Sequence, residues 1–226
     1  SGSSPVSPAL ADASLERALV VVAHEDFHNQ RETGRASFDI AEAAATLTGF
    51  LTTRDFVRIR YGEASELFQR LDHEAERFLV KARIVNAYYG RLDSVYDAYD
   101  AGDLTRDQAL TLKAALYAEL ERECGASEPA VSFNTCPAAM NNAGLTFDRT
   151  YTRHYQTWFE LYESLDRETG TTVAALRSVL AEGPQTEAEL LDARESVLRR
   201  RSFVEVPARQ PPRQRQGQPQ RQPERQ

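Results

Sequence analysis

The sequence predicts a mainly α-helical domain with little or no β-sheet. Three observations carry that prediction. Apolar residues recur at three- and four-residue steps over most of the chain, the spacing of one helix face. An alanine-rich run, Phe38 to Leu47, is strongly helix-favouring. Strand signals are scarce: only Ser202-Phe203-Val204-Glu205-Val206 alternates, and it reads as a short edge strand. Hydrophobic residues make up 41% of the 226, enough for one sizeable core.

The elements follow in order. Residues 1–11 are rich in Ser and Pro and read as a loose lead-in. Asp12 or Ser14 can cap a helix running through Leu15, Leu19, Val22 and Ala23 toward His28. Gly34 ends or interrupts this region. The helix from Phe38 is expected to reach about Thr52. From about Ala64 to Ala98, Leu67, Leu71, Phe78, Ala82, Val85, Tyr89, Leu92 and Tyr96 mark one long helical segment, with Gly90 inside it at some cost. Gly102 ends it. Thr105-Arg106-Asp107 starts another helix, carrying Leu110, Leu112, Leu116 and Leu120, and the two form an antiparallel hairpin with Leu71 and Leu116 in the core.

From Cys124 to Thr150 the periodicity stops, and Pro129, Asn134, Pro137, Asn141, Asn142 and Gly144 make a long irregular loop of the kind that often carries function. Helical patterning resumes at Tyr151 and continues through Trp158 and Leu161. Shorter helices are expected at Thr172 to Leu180 and Thr186 to Arg199, where Thr186 and Glu189 fit a capping box. The domain therefore spans residues 12–206. Residues 207–226, rich in Arg, Gln and Pro, read as a disordered tail.

Charge and composition exclude several classes. The chain carries a net −7, yet from Arg199 onward eight arginines face two glutamates, which leaves the body at −13. So acidic a body argues against a nucleic-acid partner. The longest apolar run, Ala18 to Ala23, falls far short of the ~20 residues of a membrane span. Cys124 and Cys136 can pair in an oxidising compartment or stay free. The chain begins Ser1-Gly2-Ser3-Ser4 without a methionine, so a processed or designed start is expected, with any export signal upstream.

The chemistry concentrates in AHEDFHNQ, Ala23 to Gln30, which holds two of the four histidines. On a helix, His24 and His28 lie one turn apart on one face. Two imidazoles so placed can bind one Zn2+, and Glu25, beside the first, can reach a water rather than the metal. This is the HExxH pattern of two ligands and one general base. The bland alternative is an exposed helix with two solvated histidines. A third ligand is needed, and Asp39 and Glu42 are the nearby candidates. Alone, Glu42 would be an ordinary exposed glutamate. Its neighbours Ile40, Ala41, Ala43, Ala44 and Ala45 are small and apolar, however, and a carboxylate buried among them needs a partner. Asp39 is the second choice, or an outer partner to a ligating histidine.

HEDFHNQ, then FDIAEAAATLTGF, then NNAGLTFDRTY together resemble the bacterial predicted-aminopeptidase family of HExxH zincin-type metallopeptidases, over roughly residues 15–180. Asn141, Asn142, Ala143, Leu145 and Tyr151 match one family stretch with its spacing, and Glu42 matches the family glutamate. Asp26 and the run-up Asp39-Ile40-Ala41 depart from the pattern. The resemblance implies a helical zincin-like catalytic domain, Zn2+ as cofactor, a peptide substrate, and an exported, periplasmic or envelope-associated protein. The N-terminal portion and export or lipoprotein signal such proteins carry have no match here.

On this reading Zn2+ is held by His24, His28 and Glu42, and Glu25 moves the proton from water to the departing amine. Tyr151 is the candidate oxyanion donor, with Tyr155 and His154 as alternatives, or else a half-buried aromatic whose hydroxyl meets water. Asn141 and Asn142 can bind a substrate's backbone or simply hold their own loop. The competing function is a non-catalytic helical binding or scaffold module derived from such an enzyme. A metallohydrolase acting on a non-peptide amide shares the same site.

Overall fold

The computed structural model describes residues 8–204, and among these every regular element is helical. The helices are α1 (Pro8–Ala11), α2 (Leu15–His28), α3 (Phe38–Tyr61), α4 (Glu66–Leu71), α5 (Glu74–Asp100), α6 (Arg106–Gly125), α7 (Asn142–Thr152), α8 (Tyr155–Ser164), α9 (Thr169–Ala181) and α10 (Glu187–Val204). A 3-10 turn, Thr33–Arg35, joins α2 to α3. The mainly α class holds. The expected edge strand does not: Ser202 to Val204 continue α10, because i to i+4 bonding extends a helix without needing a partner strand. Pro8 to Ala11, expected as part of the lead-in, form the short α1. Residues 207–226, read as a disordered tail, lie outside the described residues.

The alanine-rich helix is the centre of the molecule. Every residue from Ile40 to Leu51 is buried, so α3 is covered all round rather than amphipathic. It touches α2, α4, α5, α7, α8 and α9. That burial carries it past the expected end at Thr52 to Tyr61, where Gly62 at φ +84° supplies the left-handed exit. Around it, Phe27, Phe50, Phe78, Tyr155, Trp158 and Leu176 form the main core. The Trp158 indole N–H donates to the Ile40 carbonyl at 3.1 Å, which satisfies its polar end inside that core.

Small side chains let α2 approach α3 closely. A Cβ built on Gly49 would lie 3.0 Å from the Val20 carbonyl and 3.3 Å from the His24 Cβ. That contact fixes the spacing between the helix bearing the histidines and the helix bearing Glu42.

The hairpin of α5 and α6 packs as a second, smaller cluster that includes Val85, Leu92, Leu116 and Leu120. Its antiparallel register reads off three pairs: Tyr88 with Glu123, Arg91 with Glu119, and Lys113 over the Tyr96 ring. Thr105 and Gln108 form the capping box that starts α6. Leu110 and Leu112, placed on the apolar stripe by spacing, are 46% and 44% exposed. They sit in the first turns of α6, next to the connection from α5, on a face left to solvent. The expected single segment from Ala64 to Ala98 divides at Asp72 and His73 into α4 and α5. Ser65 caps α4 by accepting from the Phe68 N–H, and the buried carboxylate of Glu74 opens α5.

The loop expected from Cys124 to Thr150 is shorter. It covers residues 126–141, since α6 runs to Gly125 and Asn141 caps α7 by accepting from the Gly144 N–H at 3.0 Å. Cys124 and Cys136 form a disulfide that ties this loop to the end of α6.

Candidate metal centre

The triad begins with the end of α2. Ser14 caps the helix, and Asn29 closes it, five residues before Gly34. The Thr33 hydroxyl donates to the carbonyls of His28 and Gln30 at 3.0 and 2.7 Å, which fixes the turn into α3. Ser37, in extended conformation, starts α3 and donates its N–H to the Pro184 carbonyl. Glu42 therefore comes one turn into α3, directly opposite the last turn of α2.

His24 Nε2 and His28 Nε2 lie 3.1 Å apart. Glu42 Oε2 lies 3.2 Å from His24 Nε2, and Glu42 Oε1 lies 3.3 Å from His28 Nε2. Ligands held 2.0–2.1 Å from a tetrahedral Zn2+ are separated by about 3.3 Å. Two imidazole nitrogens and a carboxylate oxygen at these separations fit that ion in both donor type and spacing. Among the described residues this is the one group of three His, Cys, Asp or Glu donors close enough to hold a metal. The two imidazoles and the acid at position 42 thus converge.

Electrostatics favour the ligand form of the acid. Burial by itself would raise the Glu42 pKa, but hydrogen bonds from His24 and His28 outweigh it and hold the carboxyl at about 2. The Glu42 hydrogen bond raises the pKa of His28 against the opposing effect of burial.

A cavity of about 260 Å3 opens beside the triad, with His24, Glu25 and Tyr151 on its wall. Glu25 is solvent-exposed on α2, next to the first histidine. The Tyr151 ring centroid lies 6.3 Å from that of His24. Burial, helped by the charges of Glu42 and Glu25, raises the tyrosine's pKa, so its hydroxyl stays protonated and able to donate.

The other candidates sit elsewhere. Asp39 meets neither His24 nor His28. It accepts from the Ser37 hydroxyl at 2.7 Å and meets Arg153 and His154 at 3.0 and 3.2 Å. It is therefore no ligand, and the histidine it supports is His154. That histidine is 2% exposed, with Nδ1 buried and unbonded, so it faces no substrate. Tyr155 is fully buried and donates to the Ala75 carbonyl. Asn142 donates to the Tyr96 hydroxyl and accepts from Tyr117. Asn141 caps α7, and neither asparagine lines the cavity.

Sequence reading missed the groups that build the cavity. Glu74, 1% exposed, accepts from the N–H groups of Val131 and Ser132 and from the Ser132 hydroxyl, fastening the loop to α5. Lys81 is 7% exposed; its Nζ lies 2.9 Å from Asp148 Oδ2 and donates to the Asn134 carbonyl at 2.6 Å. Burial lowers its pKa despite Asp148. A signal for Lys81 was present: it stands three residues from Phe78 and four from Val85, a charge on the apolar stripe. Asp148 likewise stands three residues after Leu145, on the buried face of α7.

Compared with family models, curated proteins and solved structures, the chain matches none of them.

Proposed function

We propose that this chain is a zinc-dependent peptidase, with aminopeptidase action as the first form to test. The observation that carries the reading is the convergence of His24, His28 and Glu42 at 3.1 to 3.3 Å, beside a cavity walled by Glu25 and Tyr151. The sequence resemblance to HExxH zincin-type peptidases adds to it. A bound Zn2+ supplies Lewis acidity, polarising the scissile carbonyl and acidifying water. Glu25 takes the proton of the attacking water and delivers it to the departing amine. The Tyr151 hydroxyl donates to the oxyanion as it develops. The disulfide suits an oxidising compartment, which supports an exported protein.

The test combines metal analysis with hydrolysis of amino-acid amides and peptides. One zinc per chain is expected, with turnover that falls about 10²–10⁴-fold in Glu25→Gln while the zinc remains. A metal-free protein after zinc dialysis would sink the metal reading. Zinc retained with no hydrolysis across the panel would leave a helical binding module.

A further inference from the structure

The geometry points to the cavity beside the triad as a specificity pocket for one bulky apolar side chain, aromatic by preference, at a residue flanking the scissile bond. This rests on the peptidase reading and deepens it by naming the substrate class.

Size is the first argument. At about 260 Å3 the cavity lies just below the roughly 300–1,000 Å3 of pockets that hold drug-sized molecules, so it suits one side chain rather than a length of peptide. Position is the second. His24, Glu25 and Tyr151 share its wall, so whatever fills it is attached close to the reacting bond.

Chemistry is the third. Val20, Phe50, Phe78 and Phe133 come from four different segments to form its apolar surface. The three phenylalanines pack on one another at 4.9 to 5.6 Å between centroids, which holds their faces in place. Phe147, 62% exposed, stands at the wall with its ring 5.4 Å from Tyr151. Its ring gives the cavity an aromatic edge at the mouth.

The charges in the wall reinforce the choice. Lys81 is neutralised by Asp148, bonded to the Asn134 carbonyl, and seated 5.9 and 5.8 Å from the Phe78 and Phe133 rings. Arg17, anchored to the Ser132 carbonyl, and Glu25 complete the charged groups. A charged side chain entering the cavity finds Lys81 and Asp148 already paired, and of Arg17 and Glu25 one repels it while the other attracts it. Either ion loses its water for an attraction that is partly cancelled. An uncharged apolar side chain loses nothing comparable.

The experiment uses the zinc-loaded chain and two peptide series that vary the residue on either side of the scissile bond among Phe, Leu, Ala, Asp and Lys. In one of the series kcat/KM for Phe and Leu should exceed that for Ala by at least about 10²-fold, since one methylene in an apolar pocket can contribute roughly 10-fold or more. Asp and Lys should fall below Ala. Val21→Phe, which narrows the cavity, and Phe147→Ala, which removes its aromatic edge, should each cut the Phe-to-Ala ratio at least tenfold. Binding of the same peptides to zinc-loaded Glu25→Gln, read by calorimetry, gives the order without turnover. Hydrolysis with a flat or charge-selective profile would overturn the pocket and leave the peptidase. Phe-selective binding without any hydrolysis would overturn the peptidase and leave the pocket.

Discussion

Two carboxylates one turn apart on α3 make opposite uses of histidine. Glu42 stands between His24 and His28 with the cavity beside them. Asp39 stands with Ser37, Arg153 and the buried His154. Both are partly or wholly shielded acids at the N-terminal end of one helix. The difference is in what surrounds them. Asp39 has a guanidinium and a hydroxyl, so its charge is already compensated and its bonds join α3 to the start of α8. Glu42 has two imidazoles, whose nitrogens can give up their protons and turn toward a cation. The histidines record the contrast: the Glu42 hydrogen bond raises the pKa of His28, while burial lowers that of His154 despite Asp39. A carboxylate beside histidine thus makes a candidate metal site only when the surrounding groups leave donors free.

The largest effect expected from breaking this contrast is on metal binding. Glu42→Gln should weaken zinc by more than the ~10–100-fold typical of losing an outer-shell partner, and turnover should vanish with the metal. Asp39→Asn should leave zinc affinity within about threefold of wild type, well inside that outer-shell range. Competition against a chelator reads both, and equal losses in the two variants would erase the distinction. Next comes Tyr151→Phe, expected to reduce kcat by about 10²–10³-fold with zinc content unchanged. A change confined to KM would remove the tyrosine from the reaction.

The complementary prediction concerns stability. Asp39→Ala should cost about 1–3 kcal/mol in urea unfolding, because it leaves the buried His154 without its acceptor. An unaltered midpoint would show that the cluster does not hold α3 to α8.

The smallest effect is a pH dependence of the metal-free chain. His28 has its pKa raised, so its contribution is full below its ordinary value of 6.5 and is lost as pH rises through the folded value. His154 has its pKa lowered, so folding weakens as pH falls through 6.5. Glu42, depressed from 4.5 to about 2, adds stability above pH 4.5 that is lost on acidification toward 2. Unfolding midpoints at pH 5.5 and 7.5 should therefore respond with opposite sign to His28→Gln and His154→Gln. Slopes changing in the same direction would contradict the assignment.

Much of the candidate metal centre was legible in the chain. His24, Glu25 and His28 depend only on the periodicity of one helix, which is local. Glu42 was legible because a charge within an alanine run must be buried with a partner. The same apolar neighbours put Glu42 ahead of Asp39, but what Asp39 does instead, holding His154 and Arg153, depends on the rotation of α3 against α8. Tyr151 was named alongside Tyr155 and His154, and burial distinguishes them, a quantity set by α5 and α3 rather than by local sequence. Asn141 and Asn142 have the chemistry to bind a substrate, but a cap and two tyrosine hydroxyls use it.

The sequence by itself determined the helical class and the spacing of two imidazoles on one helix face, because backbone hydrogen bonding within a helix is local and its period is fixed. Tertiary packing alone decided that α3 lies at the centre, that Gly49 admits α2 against it, and that Lys81 meets Asp148 across 67 positions of chain. Those contacts arise from shape and from compensating charge between distant segments, and no local pattern encodes which segments will meet.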